Sequence, residues 1–275
     1  MTVLSRGTVL FMTAFIGFTS LTSEYAFAQN AAPKGYAELL AKYISPSSDG
    51  LNRVAYGKWQ ASQSDRAKLS EVINAMVAQK PSAMPRNDAF AYWANLYNAV
   101  TLGVILNAYP VKSIRDIKST GTSLLDFKSF TGPWRTKRVI VEGNELSLDE
   151  IENSILRPTF KDPRVHYSIN CASVGCPNLR QKPWAGQTLD ADLDDAARAY
   201  INNPRGVSVG RDGTVTVSSI YSWFEEDFGG SKAGVFAHLR KYASADLAAK
   251  LRDKTTFSHS YDWALNEAGH HDVSQ

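Results

Sequence analysis

Two cysteines, one histidine and a pair of asparagines supply the residue types that could do chemistry in this chain. Cys171 and Cys176 are its only cysteines, and both fall in the stretch Arg164–Arg180 together with His166. A cysteine hydrolase or acyl transferase needs a thiolate nucleophile, a base within hydrogen-bond reach and a third group that orients the base. Cys171 can be the nucleophile, His166 is its nearest histidine and can be the base, and Asn95 or Asn98 can orient the base or bind an oxyanion. Cys176 directly precedes Pro177 and is the weaker nucleophile. The same two sulfurs admit a second reading. In an oxidising compartment cysteines pair, and a turn that brings the two Cα atoms within about 7 Å would close a small Cys171–Cys176 disulfide ring. The chain would then be a non-enzymatic binding or scaffold protein whose aromatic residues line a ligand groove.

Other constellations are weaker. A C-x4-C pair with His166 five residues upstream is not a zinc spacing, and there is no second pair, so neither a metal nor an organic cofactor is expected. Glu225, Glu226 and Asp227 could form a carboxylate cluster for glycosidic cleavage, although adjacent carboxylates on one short segment more often form a solvated face. His238, between Phe236 and Leu239, reads as a packed or surface histidine. His259 is uninformative, and His270–His271 belong to a polar tail.

The elements that must position these groups can be read from periodicity. Val165, Tyr167, Ile169 and Cys171 alternate with His166, Ser168 and Asn170, which is strand spacing, and Ala172–Gly175 is a small-residue turn. On a straight strand His166 and Cys171 face opposite ways, so a dyad requires the strand to bend or end first. From Ala89 to Val111 there is no charged residue. Asn87–Asp88 starts this helix and Tyr109–Pro110 stops it. A helix apolar on all sides is the central helix of a sizeable core. Asn95, Asn98, Thr101 and Asn107 argue against a lipid-facing span. Asn95 and Asn98 share a face, either tying down a loop or orienting the site. Further helices are expected at Pro33–Tyr43, after Ser64, after the capping box Ser147–Glu150 with Pro158 closing it, at Asp190–Ile201, at Gly234–Tyr242 and at Ser244–Leu251. A strand-like piece is expected at Val54–Trp59, and Val207–Val217 is a hairpin turning at Asp212–Gly213. The fold class is α+β, a single domain with a buried central helix packed on an antiparallel sheet. By analogy alone the architecture is papain- or transglutaminase-like.

Composition narrows the function classes. With 30 basic and 27 acidic residues the formal net charge is +3, and no basic block runs along the chain, so a nucleic-acid partner is not expected. Six Trp and twelve Tyr suit a core or a groove. The partner expected is a small-molecule or peptide substrate. Arg6, an apolar run from Val9 to Leu21 and Ala26–Ala28 form the pattern of a cleavable leader over residues 1–28, too short to span a membrane. Export to a bacterial periplasm is the corresponding expectation. Residues 29–86 then form an N-terminal helical segment, 87–266 the main domain and 267–275 a polar tail.

Trp93–Asn98, Ser147–Arg157 and His166–Pro177, with Tyr221–Phe228 and Tyr261–Asn266 behind them, resemble the DUF547 family in motif content and order. The resemblance spans about Asn87 to Asn266 and implies no established activity. In one position it departs from the family pattern, which has histidine where this chain has Asn153. If that histidine is functional in relatives, this protein uses His166 instead or has lost the chemistry.

Overall fold

The structure is a computed structural model and describes residues 32–118 and 133–269. The leader pattern and His270–His271 lie outside the described residues. Helix α1 (Lys34–Tyr43) buries Tyr36, Leu39, Leu40 and Tyr43, one face at helical spacing. A short antiparallel hairpin, β1 (Ile44–Pro46) and β2 (Asn52–Val54), follows. The expected strand at Val54–Trp59 is mostly helix α2 (Tyr56–Ala61). Helix α3 (Gln63–Val77) is capped by Ser62, whose hydroxyl accepts from the Asp65 N–H, two residues ahead of the start read from Ser64.

Helix α4 (Arg86–Ala108) is the centre of the molecule. Every residue from Phe90 to Leu102 is buried, as are Val104, Ile105 and Leu106. It is long and apolar enough to cross a membrane, but 83% of its most apolar window is buried within the protein. It packs on α2 and α3 rather than on a broad sheet. The expected single antiparallel sheet is absent from the described residues. In its place stand three small ones: β1–β2, β3 (Val139–Val141) with β4 (Asn144–Leu146), and β5 (Val207–Val209) with β6 (Val215–Ser218) and β7 (Ser258–Ser260), the last pairing parallel to β6. The mixed α+β class therefore stands, while the sheet is divided among pieces of three or four residues.

Ser147 and Glu150 form a reciprocal capping box that opens α5 (Leu148–Glu150). Pro158 does not close this helix as expected. It lacks an N–H, and its ring would meet the carbonyl four residues back in a regular helix. The preceding turn widens instead, into a π-helical stretch (Ile151–Leu156) in which the Arg157 N–H reaches the Glu152 carbonyl, and α6 (Arg157–Phe160) continues to a left-handed stop at Lys161.

The strand read at Val165–Cys171 is replaced by a helical turn, α7 (Val165–Ser168). Asp162–Pro163 explains why. The Asp162 carboxylate accepts the Arg164 N–H at 2.8 Å, and Pro163 lies just ahead of the helical turn, where no helical hydrogen bond needs its N–H. Val165 and Ile169 join the apolar cluster around α4, whereas Tyr167 joins a second cluster formed by α8 (Leu189–Ile201), β5, β6, α9 (Ile220–Trp223) and α10 (Lys232–Tyr242). Helix α11 (Ala245–Lys250) follows α10.

Candidate active site

After α7 the chain is extended through Ile169, then turns at Ala172, which is left-handed at φ +63° without being glycine. Such strain persists only where the surroundings enforce it, and it is common at functional sites. Here the enforcement is visible. The Asn170 side chain accepts the Ala172 N–H at 2.8 Å and donates to the Pro177 carbonyl at 2.7 Å. The C-terminal arm pairs alongside: Val174 and Gly175 donate to Ala264 and Asp262, and Asn266 donates to Ala172. Gly175 is required by this approach, since a Cβ there would lie 2.9 Å from the backbone nitrogen and oxygen of Asp262. The pairing carries Tyr261 to the cysteines.

Both cysteines are free thiols in the structure. Cys171 is partly exposed, and Cys176 is buried behind it. The Cys171 N–H donates to Cys176 Sγ at 3.0 Å, and the Tyr261 hydroxyl lies 3.1 Å from Cys171 Sγ and 3.0 Å from Cys176 Sγ. Hydrogen bonding from Cys176 outweighs burial and, with Ser173 and Tyr261, lowers the Cys171 pKa to about 7. Burial and the neighbouring Cys171 charge push Cys176 upward. The pair is therefore asymmetric, with an accessible thiolate and a buried thiol, which is the arrangement of a reactive cysteine.

Cys171 opens into a cavity of about 530 Å³ that His166 and Glu152 also line. The His166 ring is buried and stacks on Phe224 at 4.2 Å. Its Nε2 is 2.7 Å from Asp227 Oδ2, and its Nδ1 faces Glu152 Oε1 at 3.9 Å. The hydrogen-bond partner of this ring is thus a carboxylate and neither sulfur. Burial lowers its pKa, with Asp227 opposing. Burial also works against the Asp227 carboxylate, but His166 and Arg157 outweigh it and hold its pKa at about 2. Glu152 has 13% of its side chain exposed. Burial raises its pKa to about 8, and the Cys171 charge pushes the same way. Its carboxyl is presented by the π-helical stretch, a distortion that recurs at functional sites.

Asn95 and Asn98 do not reach the cavity lining. Asn95 exchanges two hydrogen bonds with the backbone of Trp184, each 2.9 Å. Asn98 donates to the Ser168 carbonyl and accepts from the Asn170 N–H, both at 2.8 Å. With their amides occupied by backbone, these residues fix the two loops that flank α4, and Asn98 anchors the residue before Cys171. They hold the site from beneath and do not orient the His166 ring.

Asn153, where a histidine is the expectation from the resemblance, is exposed at the cavity wall. It donates to Asp149 at 3.0 Å and accepts from Arg157 at 2.7 Å. The three acidic residues at 225–227 separate: only Asp227 bonds His166, and Glu226 is exposed. His238 is packed, bonding Tyr167 at 2.8 Å. Among the described residues no group of three or more His, Cys, Asp and Glu side chains is arranged to hold a metal ion.

Residues 81–201 match the family model DUF547, a protein of unknown function. No curated protein and no solved structure matches the chain. The DUF547 region contains Glu152, His166, Cys171 and Cys176. Tyr261, Trp223 and Trp263 lie beyond it and complete the cavity wall; Asp227, the partner of His166, lies beyond it as well. Reading by residue type missed Glu152 and Tyr261. Glu152 is the chain neighbour of Asn153, and Tyr261 opens the Tyr261–Asn266 motif, but no local spacing couples either to Cys171.

Proposed function

We propose that the cavity is the active site of a thiol-dependent hydrolase or acyl transferase acting on a peptide-like or amide substrate. The observation that carries this reading is the part-exposed Cys171 sulfur in the cavity wall, with the more buried Cys176 and the Tyr261 hydroxyl against it. The Cys171 thiolate attacks the acyl carbon, and the Tyr261 hydroxyl is the nearest side-chain donor for charge developing there. As the carbon–nitrogen bond breaks, Glu152, protonated below about pH 8, gives its proton to the departing amine. The acyl–sulfur intermediate is then cleaved by water or by an acceptor nucleophile. Glu152, now a carboxylate, takes the incoming proton, and the Cys171 thiolate is restored. His166, fixed by Asp227, stands behind Glu152 and acts through it, which replaces the direct Cys171–His166 dyad in this reading.

The test is acyl trapping. The full-length reduced protein is incubated with N-acetylated amino-acid thioesters and p-nitrophenyl esters, quenched in acid and mapped by mass spectrometry. The expected result is a single acyl group on Cys171, absent in Cys171→Ser. Acylation spread over surface lysines, with Cys171 unmodified, would remove the nucleophile.

A further inference from the structure

Part of the cavity wall is not used by the thiol chemistry. From Tyr261, which touches Cys171, an aromatic wall runs outward. The Tyr261 and Trp263 rings are 4.6 Å apart, and Trp223 lies 4.9 Å from Tyr261 and 5.7 Å from Trp263, nearly parallel to the latter. Trp223 is 48% exposed, and all three rings line the cavity. At its outer end the Arg115 guanidinium sits 5.1 Å over the Trp263 ring. Arg135 lines the same cavity.

These two arginines differ from those nearer the core. Arg157 and Arg164 are each engaged by carboxylates. Among the described residues neither Arg115 nor Arg135 has a carboxylate partner, although both are within the lining. The nearby acid, Asp149, accepts from Asn153. A guanidinium fork matches a carboxylate in two parallel hydrogen bonds, and a flat apolar group gains most by lying against an indole face.

Resting on the reading of Cys171 as nucleophile, we infer that the site selects carboxylate-bearing acyl donors: an aromatic or similarly flat group lies on Trp223 and Trp263, and the carboxylate reaches Arg115 and Arg135. Trp223 and Trp263 thereby set the reach from the scissile bond to the charge, and the arginines set its sign.

The test uses the full-length reduced protein and three maleimides that differ only in the substituent on the ring nitrogen: N-ethylmaleimide, N-phenylmaleimide and N-(4-carboxyphenyl)maleimide. Second-order rates at Cys171 are read by mass spectrometry and divided by the rates with glutathione, which removes intrinsic reactivity. The carboxyphenyl reagent is expected to exceed the phenyl reagent by about fivefold, the ceiling for a well-placed exposed ion pair, and the preference should shrink as salt is raised. The double variant R115Q/R135Q should bring that ratio to about one, and Trp263→Ala should slow both aryl reagents relative to N-ethylmaleimide. Equal normalised rates for the two aryl reagents, or a preference that survives R115Q/R135Q, would overturn the selectivity with the nucleophile intact. Failure of all three reagents to label Cys171 would instead remove the nucleophile, and the selectivity with it.

Discussion

Replacing Cys176 by alanine isolates the cause of the reactivity assigned to Cys171. In the native protein hydrogen bonding from Cys176 is the largest influence on the Cys171 sulfur, holding its pKa at about 7. Without that donor, burial pushes the pKa up against only Ser173 and Tyr261. Cys171 should then titrate at about 8.5 or above, the ordinary thiol value. At pH 7 the thiolate fraction falls from about one half to about 3%, a loss of roughly 16-fold. The more basic thiolate is also intrinsically more nucleophilic. With a Brønsted slope of about 0.45, the change from about 7 to about 8.5 returns roughly fivefold. The net loss at pH 7 is therefore only about threefold, so a single rate at neutral pH is a poor test and the midpoint of the pH profile is a good one. The assay is attack on 4,4′-dithiodipyridine, followed by thiopyridone release across the neutral and alkaline range. It also counts sulfurs. Native protein should release two thiopyridones per chain as Cys176 resolves the mixed disulfide on Cys171, and C176A should release one. Cys176→Ser, which restores a hydrogen-bond donor, should return the midpoint toward 7. A midpoint that stays near 7 in C176A would refute the reasoning. Native protein that yields thiols only after reduction would instead favour the disulfide staple and a non-enzymatic role.

Further outcomes are expected from two other residues, Glu152 and Asn98. Because Cys171 ionises near pH 7 and Glu152 near pH 8, kcat/KM for an amide donor should be bell-shaped with limbs near those values, which belong to the coupled pair. Glu152→Gln should slow amide donors by about 100-fold and spare thioesters, whose leaving group needs no proton; an unchanged alkaline limb would reject Glu152 as the acid. The same substitution has a stability readout. The folded-state pKa of Glu152 is raised above its ordinary value, so the folded protein binds that proton more tightly than the unfolded chain does. Its contribution is complete below the ordinary carboxyl range and is lost as pH rises through about 8. E152Q should remove that decline in urea unfolding. Asn98→Ala strips a partner from the buried Asn170 N–H and should cost about 1–3 kcal/mol in urea unfolding at an unchanged m-value; lost activity at native stability would instead make Asn98 part of the chemistry.

Much of the scaffold was legible because its signals are local. The uncharged run that became α4, the Ser147–Glu150 capping box and the Asp212–Gly213 hairpin each depend on residues within a few positions of one another. The misreadings were local conflicts as well. Alternation at Val165–Cys171 lost to the Asp162–Pro163 helix start, and Pro158 widened a helix that it was expected to end.

The site divides along the same line. The sequence by itself determined which stretch carries the sulfurs and that a small-residue turn lies between them, because residue type and turn composition are properties of adjacent positions. It also placed Asn95 and Asn98 on one helical face, but not what that face touches. Only the tertiary structure decided that Asn98 holds the residue before Cys171, 72 positions away, that His166 bonds Asp227, 61 away, and that Tyr261, 90 away, meets both sulfurs. Helical and strand periods end with each element, whereas these contacts arise from the C-terminal arm pairing with the cysteine loop and the π-helical turn aiming Glu152 inward. The lowered pKa of Cys171 comes first from Cys176, five positions away, and Tyr261 adds to it from across the fold, whereas an isolated cysteine at this position would titrate as an ordinary thiol.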